Sequence, residues 1–133
     1  MNLRTIFIDG NSIGSLDEFY SEIEKHLGEG SCPWGENLDS LDEIVRSSFN
    51  YTSNKDLDVS RIVWLNAGLC EKNLGEEETI KWLSKKFSYS SDSKYQSDLR
   101  ERIERVKNKT ERTLFDIIVE ILCSNSRIRL DLK

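Results

Sequence analysis

Two rhythms of apolar residues alternate along this chain, short unbroken runs and positions spaced three to four apart. Ile6-Phe7-Ile8 is an unbroken run closed by Asp9-Gly10-Asn11, the pattern of a buried strand entering a turn. Ser15-Leu16-Asp17-Glu18 has the spacing of a capping box, in which hydroxyl and carboxylate each satisfy an orphan backbone N–H. Behind it Leu16, Phe19, Ile23 and Leu27 recur at helical spacing, which predicts a helix to about Leu27, stopped by Gly28 and Gly30. Residues 28–36 hold three glycines and the only proline and read as a loop. Asn37 is placed to cap a second helix over roughly 38–49.

On a helical wheel Leu38, Leu41, Val45 and Phe49 form one stripe, while Asp39, Asp42 and Glu43 share a separate face with Arg46. After a polar stretch, Arg61-Ile62-Val63-Trp64-Leu65-Asn66 has the β-formers of a second strand. Glu76-Glu77-Glu78 opens a further helix that Lys81, Lys85 and Lys86 close, matching the dipole at both ends. Ile80, Leu83 and Phe87 form its buried side. Residues 88–98 are serine-rich and aperiodic, and read as a mobile loop or insertion. From Leu99 helical spacing resumes through Ile103 and Val106 to Leu114, Ile117, Ile118, Ile121 and Leu122. This suits one long helix, or two broken near Asn108-Lys109. Ile128, Leu130 and Leu132 alternate with Arg127, Arg129 and Asp131 as a half-exposed last strand. Strands separated by helices predict parallel pairing, hence a small α/β layer.

A length of 133 residues fits one domain that buries roughly two thirds of its unfolded surface. Apolar residues at 37% with twelve aromatics exclude wholesale disorder, and no apolar run approaches the roughly 18 residues of a membrane span. The N-terminal run is too short for a signal peptide and meets Asp9 at once, so the expectation is an intracellular, cytoplasmic protein. Cys32, Cys70 and Cys123 form no CxxC pair and no disulfide framework.

Charge sharpens the picture. The net charge is −5, yet residues 1–60 carry 12 acids against four bases, and residues 61–133 carry 15 bases against 12 acids. Between positions 15 and 45 nine acids face Lys25 alone. Such a region repels phosphate backbones and attracts basic surfaces, which argues against direct nucleic-acid binding and for a basic protein partner. Six bases from Arg100 to Arg112 alternate with Glu101, Glu104 and Glu111, as on a solvated helix laced with ion pairs. Catalytic signatures are thin. His26, the only histidine, lacks a triad motif, and Gly10-Asn11-Ser12-Ile13-Gly14-Ser15 lacks both the Walker lysine and GxGxxG spacing. No cofactor or metal is expected, although Asp39, Asp42 and Glu43 are the residues a metal-dependent hydrolase would use.

The segment Pro33-Trp34-Gly35-Glu36-Asn37-Leu38-Asp39-Ser40-Leu41, preceded by Ile8-Asp9-Gly10-Asn11-Ser12-Ile13 and a capped helix, resembles the barstar family of ribonuclease inhibitors. The resemblance is clear over residues 4–45 and looser through 61–66 and 114–132. It implies a single barstar-like domain over 1–133, with a three-stranded parallel sheet covered by helices and an insertion or extended helical segment around 86–112. It also implies a non-enzymatic immunity protein, monomeric when free, that plugs the active site of a ribonuclease toxin with an acidic helix and the loop before it. Carried over by position, Trp34, Gly35, Asn37, Leu38 and Asp39 match the binding motif, and Glu43 falls where the family has its principal aspartate. Glu120 matches an acidic contact on the final helix, and Asp42 stands where a tryptophan is common. Pro33 replaces an aromatic residue. The alternative is a regulatory module on the same fold, binding a basic partner that is not a nuclease through the charged helix near 99–112.

Overall fold

The computed structural model describes residues 4–27 and 37–133. Among them are three strands, β1 (Arg4–Asp9), β2 (Val59–Leu65) and β3 (Arg129–Leu132), and six α-helices. The helices are α1 (Leu16–Glu24), α2 (Leu38–Arg46), α3 (Ala67–Asn73), α4 (Glu76–Tyr89), α5 (Ser93–Lys107) and α6 (Leu114–Leu122). The strands form one parallel sheet in the order β1-β2-β3. The expected α/β class, a small parallel sheet covered by helices, is therefore what the chain adopts.

Strand order decides where the helices go. Both crossovers step the same way across the sheet, and right-handed connections then place their helices on one face. Burial agrees with this: Ile6, Ile8, Ile62 and Trp64 are buried with apolar residues of α1, α2, α3 and α6 in one core. The opposite face carries exposed Phe7 and Leu65 and the paired side chains Arg61, Asp131 and Arg129. At the end of β1 the chain turns through Gly10 against the end of β2. A Cβ there would lie 2.2 Å from the Leu65 carbonyl oxygen and 2.7 Å from that of Asn66, so only glycine fits.

The capping signals hold with one change. Ser15 accepts from the Glu18 N–H at 3.2 Å, but the Glu18 carboxylate turns to the Gly14 N–H at 3.0 Å. The Leu16 N–H, which a capping box leaves open, is taken by Glu78 of α4 at 2.6 Å, a tertiary contact. The reciprocal capping box stands at α6 instead, between Thr113 and Asp116.

Two local expectations are corrected. The helix expected over 38–49 ends at Arg46, because Ser48 and Phe49 take positive φ of 57° and 58° and turn the chain back. Phe49 stays buried, but outside the helix. Residues 88–98 are not a loop: α4 continues to Tyr89, and α5 starts at Ser93, capped by Asp92 accepting from the Lys94 and Tyr95 N–H groups. The break near Asn108-Lys109 is real, with Lys109 at φ 59°. Finally, α3 had no counterpart in the sequence reading. Helices α4 and α5 thus form a helical hairpin with a small core of its own built on Leu83, Leu99 and Val106.

Candidate functional site

Asn37 starts α2 by accepting from the Ser40 N–H at 2.8 Å, as the sequence suggests. Leu41, Ile44 and Val45 are buried, which fixes the rotation of the helix about its axis. Asp39 and Glu43 are consequently exposed, and neither forms an ion pair within 4.0 Å among the described residues. Asp42 differs from them. It is half-buried and held by Arg46, one turn on, at 2.7 Å. Of the three carboxylates on the face shared with Arg46, Asp42 is therefore neutralised by its own helix, while Asp39 and Glu43 keep no ion partner among the described residues. Trp34 and Gly35 lie outside the described residues.

Leu38, Asp39 and Asp42 line a groove of about 300 Å³ shared with α4, α5 and α6. Trp82 and Lys86 enter it from α4, Arg102 from α5, Arg112 from the α5–α6 connection, and Ile117 and Ile121 from α6. The Lys86 ammonium stands 4.0 Å from the Trp82 ring centre and the Arg102 guanidinium 5.4 Å from it. Burial pushes the Lys86 pKa down, and Arg102 adds to that, while Asp39 works the other way. Glu111 gathers Arg105 at 3.2 Å and Arg102 at 3.9 Å. The Arg112 N–H and these guanidinium groups hold its carboxyl below the usual range. Arg112 also pairs with Glu120, so the candidate acid on α6 is exposed but already neutralised.

The sequence-predicted residues thus fall into two groups. Leu38, Asp39 and Asp42 meet at the groove, with Glu120 tied to its rim through Arg112. Asn37 instead lines a neighbouring cleft of about 480 Å³ between α1 and α4, and Glu43 stands on the solvent side of α2. The basic side of the groove was not foreseen. Its signal is the i, i+4 pair Trp82/Lys86, an aromatic with a cation one turn on.

Asp39, Asp42 and Glu43 do not form a metal centre: among the described residues no group of three His, Cys, Asp or Glu side chains is placed to hold an ion. Among them, too, no helix is long and apolar enough to cross a membrane. His26 is half-buried beside Glu22, Arg4 and the Phe7 backbone, and burial lowers its pKa below 6.5. The buried Cys70 thiol accepts from the Trp64 indole N–H at 3.2 Å, and burial pushes its pKa up. Neither group opens onto the groove. No family model, curated protein or solved structure matches this chain.

Proposed function

We propose that this chain is a barstar-like inhibitor, a cytoplasmic immunity protein that blocks the active site of a ribonuclease with the solvent side of α2 and the loop before it. One observation carries the reading: α2 is locked to the core through Leu41, Ile44 and Val45, so that Asp39 and Glu43 face solvent without an ion partner among the described residues. A ribonuclease cleft has to bind phosphate and is therefore cationic. A rigid helix presenting two carboxylates mimics the substrate charge, and preorganisation keeps the entropy cost of binding low. Attraction of opposite fields speeds encounter and makes it salt-sensitive. The protein contributes no chemistry, only occupancy of the cleft.

The test is titration of the protein into small secreted ribonucleases, one of barnase type among them, following RNA cleavage at low and moderate salt. The expected result is stoichiometric inhibition that weakens with salt and becomes at least about a hundredfold weaker in Glu43→Lys, as for reversal of a central interface charge. Inhibition untouched by Glu43→Lys would overturn active-site plugging by α2. Failure against every nuclease would favour the regulatory module, a non-enzymatic reader of a basic partner.

A further inference from the structure

The groove beside α2 carries both signs of charge, and Lys86 and Arg102, which meet at Trp82, are incompletely paired among the described residues. Asp42 is held by Arg46. Arg112 pairs with Glu120, and Arg102 stands at the long distance of 3.9 Å from Glu111. Lys86 has no carboxylate within ion-pair distance among the described residues; its ammonium rests on Trp82. Lys86 and Arg102 thus share one aromatic ring and repel one another, although Asp39, which lines the same groove, offsets part of that repulsion at Lys86. An added anion between them would relieve that repulsion while keeping both cation–π contacts.

We propose that this groove receives a carboxylate-bearing segment of a partner protein, an Asp or Glu adjacent to an apolar side chain. The carboxylate sits against Lys86 and Arg102, and the apolar neighbour packs on Leu38, Ile117 and Ile121. The lining selects a peptide carboxylate over phosphate: Leu38, Ile117 and Ile121 stand beside the cations, and a bare phosphate or a run of RNA phosphates brings no apolar group to cover them. At about 300 Å³ the groove holds one or two side chains. The partner surface is therefore not uniformly basic: it offers cations to Asp39 and Glu43 and, beside them, an acid to α4 and α5. In this way the α4–α5 hairpin becomes a specificity element. The inference rests on the inhibitor reading only for the identity of the partner.

The test uses the full chain and needs no nuclease, so its failure and that of the inhibitor reading are separable. The Trp82 indole N–H resonance, assigned against Trp82→Phe, is followed at fixed ionic strength. Three probes are titrated: N-acetyl-Leu-Glu-amide, its Leu-Gln counterpart and inorganic phosphate. The expected result is a saturable shift with the Glu peptide, at least about threefold weaker with the Gln peptide, as one partly exposed ion pair allows, and no saturation with phosphate. Lys86→Gln and Arg102→Gln should each weaken the Glu peptide by a similar factor, and Arg102→Lys should restore most of it. Equal response to the Glu and Gln peptides, or no saturation with either, overturns the proposal. Preference for phosphate also overturns it and assigns the groove to a phosphorylated ligand.

Discussion

The sheet-bearing body and the α4–α5 hairpin cover their aromatic residues in opposite ways. In the body, Trp64 is fully buried, stacked at 5.6 Å on Phe19 and tilted at 5.2 Å against Phe115, with its N–H satisfied by Cys70. In the hairpin, Trp82 and Phe87 are only partly buried, and cations cover them: Lys86 and Arg102 at Trp82, Arg100 at 5.1 Å over Phe87. The buried apolar side chains there are Leu83, Leu99 and Val106. Aliphatic and aromatic cover gives dense dispersion contact. Cation stems give cover that stays wet at its tips and movable. The body therefore supplies stability, and the hairpin supplies charge at a place where rearrangement is cheap. Trp82 packs against both cores. The Thr79 hydroxyl is a second tie, donating to the Gly75 carbonyl at 2.6 Å and accepting from the Leu114 N–H at 2.8 Å.

The comparison breaks or sharpens under three measurements. The largest effect is expected for Trp64→Ala, which should destabilise by about 3–5 kcal/mol in urea unfolding, the cost of removing a fully buried aromatic. A loss below about 1 kcal/mol would mean that the body does not carry the stability. Leu99→Ala should cost about 2–3 kcal/mol at the hairpin core. In native-state hydrogen exchange α5 amides should accelerate far more than β2 amides; equal acceleration would make hairpin and body one cooperative unit. The smallest effect belongs to His26, whose Nε2 is buried without a hydrogen-bond partner among the described residues. Its folded pKa lies below 6.5, so below pH 6.5 the unfolded chain binds the proton more readily. Its contribution to stability is full above pH 6.5 and falls as pH drops toward the folded pKa. The urea midpoint should decline from pH 7 to about pH 5.5, and His26→Gln should flatten that decline.

Much of the body was legible in the chain because its signals are local. Ile6-Phe7-Ile8 and Ile62-Val63-Trp64 announce strands, and Asn37 and the 3–4 stripes announce α1, α2 and α6. What escaped lacked an apolar rhythm. In α3 only Ala67 and Cys70 are buried, Leu69 is exposed, and the preceding Asn66 sits at φ 54° without a side-chain cap. The first turns of α5 face solvent, so Ser93–Asp98 show no stripe, and the Asp92 cap was the one available clue. Asp39 and Glu43 were readable as a face from the wheel alone. The capture of Asp42 by Arg46 and of Glu120 by Arg112 was not, because it depends on rotamers and, for Arg112, on a connection whose path the spacing does not define.

Gly10 carries a consequence for how the sheet finds its alignment. Thr5-Ile6-Phe7-Ile8 is nearly as apolar on one side as the other, so alternation alone would scarcely penalise β1 for sliding by one position, which would exchange its two faces. The Leu65 carbonyl does penalise it. Slid either way, the strand brings Asp9 or Asn11 to the point where a Cβ has 2.2 Å of room. The missing side chain thus works as a keyway: it admits one alignment of β1 on β2 and jams the neighbouring two.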